Sequence, residues 1–178
     1  VTPFKENQEV DYAAAVQVAN KLIDNNYADS LILTGTTGEF FTMTAEERIG
    51  LFKVVKDAVG GRLPVTAGVG CASTRETVQL ARAAEDLGYE LTMVVAPYYT
   101  KPNQEQLYQH YKAVAEAVKI DLLVYNIPIF TGVNVDPDTL ARLAKFKNIV
   151  GVKEEAELNP KQITAFLNAT PEDFIIYN

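Results

Sequence analysis

Short apolar segments rich in β-branched residues recur along the chain about every 30 residues, the repeat length of βαβ units. They are too uniformly apolar for strands with one solvated face, and they predict strands that are buried on both faces. Six segments have this pattern: residues 31–33, 64–67, 91–96, 122–125, 149–152 and 174–177.

Amphipathic stretches lie between these segments and predict helices. Thr44 with Glu47 three residues later forms a capping-box pattern that opens a helix over residues 44–59. Ser73 opens the next helix in the same way, and Asp136 followed by Pro137 predicts a cap with a first-turn proline. Alternating strands and helices indicate parallel strands joined by crossover helices, in a single domain over residues 1–178.

Two architectures fit this alternation, a doubly wound open sheet and a (β/α)₈ barrel. An open sheet concentrates its site at one switch point behind a glycine-rich fingerprint, whereas a barrel collects functional side chains from the carboxyl ends of several strands. Here polar motifs follow most strands: "GTTGE" at 35–39, "PYY" at 97–99, "YNIP" at 125–128, and Lys153. "GTTGE" is neither a dinucleotide-binding nor a Walker A loop, so the sequence predicts a barrel.

The length of the chain limits how much of a barrel it can form. A complete (β/α)₈ barrel needs about 250 residues, and this chain has 178. We therefore expect the barrel to lack its last strand and the helices that follow it. Residues 174–177 form the seventh strand if residues 1–3 are the end of the first.

Composition narrows the class of function. The chain is 48% hydrophobic with a formal net charge of −7, which favours a small-molecule role over binding to nucleic acid or an anionic membrane. It has no apolar stretch long enough to cross a membrane, and its single cysteine, Cys71, fits a reducing cytoplasm. No His/Cys cluster suggests a metal site.

Lys153 follows a buried strand directly and precedes a block of carboxylates. Alone, such a lysine is more often a solvated strand-end residue. Burial beside an apolar strand would disfavour its ammonium form and leave an amine able to form a Schiff base. The joint placement of a lysine, tyrosines and a paired-threonine loop at strand ends favours this second interpretation.

The motifs "GTTGE", "APYYTKP", "YNIP" and "GVKE" come in the order and spacing of a known family. From "VTPF" to the last residue, the chain resembles the dihydrodipicolinate synthases and N-acetylneuraminate lyases, which are pyruvate-dependent class I aldolases. The resemblance implies a (β/α)₈ barrel and a Schiff base between Lys153 and pyruvate or another 2-oxo acid. It implies no metal and no organic cofactor, because the imine itself is the electron sink.

The resemblance also assigns roles to other positions. Tyr125 matches the phenol that shuttles protons, and Thr36 matches a relay hydroxyl between two tyrosines. Thr37, with neighbouring backbone N–H groups such as that of Gly38, matches the pocket for the pyruvate carboxylate. Tyr99 matches the second relay tyrosine, which in many tetrameric members arrives from the neighbouring subunit, so a homo-oligomer built as a dimer of dimers is expected.

Phe130 departs from the pattern of the synthases, which usually carry an arginine there for the carboxylate of the aldehyde substrate. A phenyl ring cannot make that bidentate contact. This favours a sugar-acid or hydroxy-oxo-acid aldolase that joins pyruvate to an aldehyde without that carboxylate. Two alternatives stay open: 4-hydroxy-tetrahydrodipicolinate synthase itself, and a non-catalytic module that binds a 2-oxo acid.

Overall fold

A computed structural model describes residues 1–156 and 159–178. Its centre is a six-stranded, fully parallel sheet in which each strand pairs with the next one along the chain. The strands are β1 (Leu31–Leu33), β2 (Val65–Gly68), β3 (Leu91–Val95), β4 (Asp121–Asn126), β5 (Ile149–Glu154) and β6 (Ile175–Tyr177). All six predicted strands are confirmed, with ends shifted by one or two residues.

The sequential strand order rules out a doubly wound sheet, because that fold reverses its strand order at a switch point. The sheet curls as part of a barrel, and among the described residues β1 and β6 do not pair with each other. Residues 1–3 form no strand, so the condition under which residues 174–177 would be the seventh strand is not met, and they form the sixth strand of the described sheet. Residues 1–3 instead reach the loop after β1, where Thr2 Oγ1 donates to the Gly38 carbonyl at 2.7 Å.

Helices cover the outer face of the sheet. Neighbouring helices pack in pairs along the chain, notably the first with the second and the third with the fourth. They are α1 (Tyr12–Asp24), α2 (Ala45–Val59), α3 (Thr74–Asp86), α4 (Gln104–Ala117), α5 (Pro128–Thr131), α6 (Pro137–Leu143) and α7 (Gln162–Ala169).

The predicted caps have mixed outcomes. The Thr44 capping box of α2 is complete, with the Thr44 side chain and the Glu47 side chain each bonded to the other residue's N–H. Ser73 caps α3 by accepting from the Glu76 N–H at 3.4 Å. Asp136 makes no side-chain cap, because its carboxylate accepts from the Asn134 amide at 3.0 Å instead.

The two faces of the strands contribute to different apolar clusters, so the sheet is buried on both sides as predicted. The larger cluster lies between sheet and helices and includes Val94, Val124 and Val152. The smaller one fills the concave side of the sheet, where Met93 and Tyr125 lie. Tyr125 therefore faces the barrel interior while its strand neighbour Val124 faces the helices.

Candidate active site

The ends of β4 and β5 bring the predicted lysine and tyrosine together. Tyr125 and Lys153 are paired in register, and the Lys153 Nζ lies 4.3 Å from the centre of the Tyr125 ring. In parallel strands, paired residues point to the same face of the sheet. Tyr125 is buried, whereas the Lys153 side chain is partly exposed at the mouth of the barrel.

The loop after β1 supplies the third member of this group. The Thr36 hydroxyl lies 3.3 Å from the Tyr125 hydroxyl, where either oxygen can donate. Three of the predicted catalytic residues, Lys153, Tyr125 and Thr36, are therefore neighbours although they come from three separate segments. They line one cavity of about 180 Å³, which Thr37 and Gly38 also line.

The loop itself is folded by a tight turn. The Gly38 N–H donates to the Gly35 carbonyl at 3.0 Å, and the Glu39 N–H donates to the Thr36 carbonyl at the same distance. The Gly38 N–H is thus already engaged, whereas among the described residues the N–H groups of Thr36 and Thr37 have no backbone acceptor.

The N-terminus of a long helix does not adjoin this loop. A single 3₁₀ turn, Phe40–Thr42, follows it, and α2 begins only at Ala45. The Thr44 side chain moreover caps α2 by accepting from the Glu47 N–H. Any anion held at Thr36 and Thr37 must therefore rely on the loop's own N–H and hydroxyl groups, without the helix dipole of α2.

Tyr99 and Phe130 lie apart from the lysine. Tyr99 is 92% exposed, has a left-handed backbone with φ of 78°, and forms no hydrogen bond with Tyr125 or Thr36 among the described residues. Phe130 is 67% exposed and lines a second, largely apolar cavity of about 380 Å³ with Phe40 and Tyr98. Thr36 lines both cavities, so they adjoin at its side chain.

Glu155 is a neighbour of the site that sequence reasoning missed. Its carboxylate forms an ion pair with the Lys153 Nζ. The block of carboxylates after Lys153 was the available signal in the sequence, but spacing alone does not tell which of them turns back to the lysine.

A buried polar network lies behind the site. Asn126 and Glu154 are paired in register, directly after Tyr125 and Lys153, and both are almost fully buried. Glu154 Oε2 accepts from the Asn126 amide at 2.9 Å and from the Gln162 amide at 3.1 Å. These bonds join the ends of β4 and β5 to α7.

Two other groups with reactive side chains are buried away from this chemistry. Burial raises the pKa of the Cys71 thiol, which makes this buried side chain a poor nucleophile. Burial lowers the pKa of His110 to about 4, and its Nδ1 faces the Thr74 hydroxyl at 2.8 Å.

Among the described residues, no group of three His, Cys, Asp or Glu side chains is arranged to hold a metal ion, and no helix is long and apolar enough to span a membrane.

Comparisons with known proteins agree with this geometry. The chain is 46% identical over 178 residues to the 4-hydroxy-tetrahydrodipicolinate synthase 1 of Halalkalibacterium halodurans and 47% identical over 178 residues to the synthase of Moorella thermoacetica. Each match covers 100% of this chain and 60% of the relative, so the chain spans about 60% of the length of these relatives.

Solved structures give the same result. The chloride-inhibited dihydrodipicolinate synthase of Acinetobacter baumannii, complexed with pyruvate, superposes with a TM-score of 0.92 at 40% identity. The match covers 99% of this chain and 60% of that one. The profile of the dihydrodipicolinate synthetase family matches residues 1–178. The chain therefore belongs to the dihydrodipicolinate synthetase family.

Proposed function

We propose that the full-length protein is an enzyme that forms a Schiff base between Lys153 and pyruvate and joins the resulting enamine to an aldehyde. The observation that carries this proposal is the convergence of Lys153, Tyr125 and Thr36 on one cavity at the carboxyl ends of three strands. A barrel uses this end of its strands for catalysis. The pyruvate complex of the Acinetobacter baumannii relative supports pyruvate as the first substrate.

In this proposal the pyruvate carboxylate binds at the loop after β1. The N–H groups of Thr36 and Thr37 and the exposed Thr37 hydroxyl supply donors, while Gly38 shapes the turn. Charge-assisted bonds from backbone N–H groups suit a carboxylate. The ketone carbon then faces the Lys153 amine across the cavity.

Tyr125 transfers protons during imine formation and carbon–carbon bond formation. Its hydroxyl lies beside Thr36 and its ring beneath the Lys153 Nζ, so it reaches both the imine and a relay hydroxyl. A positioned general acid and base of this kind contributes roughly 10²–10⁴-fold to the rate. The protonated imine withdraws electrons from C3, and loss of a C3 proton gives the enamine nucleophile.

For the second substrate we propose aspartate-semialdehyde, which makes the protein a 4-hydroxy-tetrahydrodipicolinate synthase. The names of relatives at 46% and 47% identity support this reaction better than the sugar-acid aldolase favoured by the sequence alone. A sugar-acid or hydroxy-oxo-acid aldolase is the second candidate, supported by one observation. Phe130 offers an apolar surface where a carboxylate contact is expected, in a cavity lined mainly by aromatic and aliphatic side chains.

The whole protein is proposed to close the barrel and to assemble as a homo-oligomer. The chain accounts for 60% of its relatives' length, so the remaining strands of a (β/α)₈ barrel would come from outside the described sequence. The exposure of Tyr99 supports a role in the site of a neighbouring subunit, as the resemblance implies. A non-catalytic binding module is disfavoured because such a module needs the Thr36–Thr37 loop but not the amine of Lys153.

Borohydride trapping tests the Schiff base. The full-length protein treated with pyruvate and borohydride should gain one reduced pyruvyl group on Lys153, located by mass spectrometry of its peptides. Lys153→Arg should lose the label, and the matched control Lys147→Arg, at an exposed position on another segment, should keep it. A label on a different lysine, or none in the folded protein, would refute the proposal.

A panel of aldehydes separates the two candidate reactions. With pyruvate saturating, the synthase should give its highest kcat/KM with aspartate-semialdehyde, and an aldolase should give it with a hydroxyaldehyde. Phe130→Arg should raise the relative kcat/KM for aspartate-semialdehyde if the aldolase proposal is right. Ile129→Arg adds the same charge at the adjacent exposed position and serves as the control.

A further inference from the structure

The carboxylate of Glu155 touches the amine on which the proposed reaction depends. We propose that Glu155 is a catalytic residue that takes the proton from the Lys153 ammonium and so frees the amine to attack the 2-oxo acid. This inference rests on the proposed Schiff-base function. It adds a base for the lysine to a site in which Tyr125 serves the imine and the substrate.

The backbone around Glu155 is fixed by the neighbouring strand. The Glu155 N–H donates to the Asn126 carbonyl at 2.9 Å, which extends the β4–β5 ladder by one residue. The Ala156 N–H donates to Glu154 Oε1 at 2.6 Å, which holds the backbone on the other side of Glu155. Held at both sides, residue 155 has its side chain at the barrel mouth beside Lys153.

The ion pair is shielded more than an ordinary surface pair. The side chains of Lys153 and Glu155 are 24% and 29% exposed, whereas the members of the other four ion pairs in the described part of the chain are 38–64% exposed. Exposed pairs contribute about 0–1 kcal/mol because water and salt screen them. Screening is weaker at the barrel mouth, so the two charged groups interact more strongly there than in a fully exposed pair.

The amine of Lys153 lies between an anionic group and an aromatic face. The carboxylate of Glu155 and the π face of Tyr125 both attract a cation. On the other side, Tyr177 of β6 is paired in register with Lys153 and adds a further phenol. Among the described residues, Lys153 is the one cationic group within ion-pair distance of Glu155. An ammonium has no lone pair, so the site needs a proton acceptor, and Glu155 is in contact with it.

The proposed step balances in atoms and charge. Proton transfer from the ammonium to the carboxylate gives a neutral amine and a carboxylic acid. The amine attacks the ketone carbon, and a proton moves from nitrogen to oxygen through Tyr125 to give the carbinolamine. Glu155 then returns its proton to the departing hydroxyl, which leaves as water. The products are a protonated imine and an ionised Glu155 that compensates its positive charge.

Four variants of the full-length protein test this role, three at Glu155 and one control, and of these Glu155→Ala leaves room for an added carboxylate. Glu155→Gln keeps an oxygen that can accept a hydrogen bond from Lys153 but removes the base, and Glu155→Asp keeps the base on a shorter side chain. Glu172→Gln, at an exposed position after α7, is the matched control. The readout is the pyruvate-dependent rate of borohydride trapping on Lys153 between pH 6 and pH 10.

At neutral pH, Glu155→Gln should slow trapping by roughly 10²–10³-fold, because a positioned base is lost. The rate should approach that of the unmodified protein as pH rises toward the ordinary pKa of lysine, where a free amine needs no base. Glu155→Ala should regain rate when acetate or formate is added, and Glu172→Gln should match the unmodified protein throughout.

The outcomes separate the two proposals. Equal rates for Glu155→Gln and the unmodified protein over the whole pH range would overturn the role of Glu155 and leave the Schiff base standing. A loss in Glu155→Gln that neither high pH nor added carboxylate restores would mean that Glu155 only holds the local structure, and this too would overturn the proposal. Absence of trapping on Lys153 in the unmodified protein would instead refute the Schiff-base function.

Discussion

Tyr125 is the side chain through which the other site residues are connected. It is 4% exposed, its hydroxyl lies 3.3 Å from Thr36 Oγ1, and its ring lies 4.3 Å from Lys153 Nζ. The ring of Tyr125 therefore serves packing and its hydroxyl serves chemistry, and a substitution can remove the hydroxyl while it keeps the ring. The ring fills the concave side of the sheet next to Met93, whereas the hydroxyl alone faces the relay group.

Tyr125→Phe should keep the fold and pyruvate binding but lose most turnover. The ring volume is unchanged, while the proton that Tyr125 transfers is gone, so kcat should fall by roughly 10²–10⁴-fold. Steady-state kinetics and pyruvate binding by calorimetry measure the two effects separately. Tyr27→Phe, at an exposed site beyond α1, should change neither. Unchanged kcat in Tyr125→Phe would make Tyr125 only a wall of the cavity.

At this scale the sequence predicted Lys153, Tyr125 and Thr36 as neighbours because parallel strands carry their carboxyl ends to one edge of the sheet. It could not predict the contact of Glu155 with Lys153. That contact depends on the backbone position of Glu155, which a hydrogen bond to the Asn126 carbonyl of another strand holds in place. Such long-range bonds have no local sequence signal.

At the scale of elements, β4 and β5 form the platform that carries the chemistry. Register pairs Tyr125 with Lys153 on the inner face and Asn126 with Glu154 on the next pair of positions. Glu154 is 1% exposed, and its carboxylate accepts from the amides of Asn126 and Gln162. A buried carboxylate is tolerated because these donors satisfy it, and in return it ties α7 to both strands.

Glu154→Gln should weaken this platform. The new NH₂ group must face N–H donors from which the carboxylate of Glu154 accepts hydrogen bonds. Donors that then lack an acceptor cost about 1–3 kcal/mol each. Urea unfolding of the full-length protein should show that loss, accompanied by a lower kcat because Lys153 is the adjacent residue. Glu6→Gln, at an exposed position, should leave stability unchanged. Full stability in Glu154→Gln would show that the network can rearrange its donors and acceptors without cost.

At the scale of the whole molecule, the alternation of buried strands and amphipathic helices predicted the parallel sheet, and the polar motifs at several strand ends predicted its barrel-like winding. The sequential strand order agrees with both. The first residues were harder to predict. "VTP" is apolar enough for a strand end, yet Thr2 bonds to Gly38 and Phe4 pairs antiparallel with Val10. These contacts are tertiary, so a local apolar pattern does not distinguish them from strand pairing.

The exposed aromatic side chains at the barrel mouth belong to the same scale. Phe41, Tyr99 and Phe130 are 62%, 92% and 67% exposed, respectively. Phe41 and Phe130 line the same apolar cavity, and large apolar groups exposed together are typical of surfaces that bind a partner. Tyr99 also has a left-handed backbone, which is uncommon for a residue with a bulky side chain. Both features support the proposal that Tyr99 completes the site of a second subunit.

A mixing experiment with two inactive variants tests that proposal. Tyr99→Phe lacks the second relay phenol and Lys153→Ala lacks the nucleophile, so each full-length variant alone should have little activity. If Tyr99 acts in the neighbouring subunit, a mixed dimer has one site with an intact Lys153 from one chain and an intact Tyr99 from the other. Random exchange at a twofold interface then restores about one quarter of the activity of the unmodified protein.

If Tyr99 acts within its own chain, every site in the mixture lacks one of the two groups and activity stays at the level of the separate variants. The control mixes Lys153→Ala with Tyr125→Phe, whose defects both lie on the same side of the interface, and it should restore nothing because Tyr125 and Lys153 are paired within one sheet.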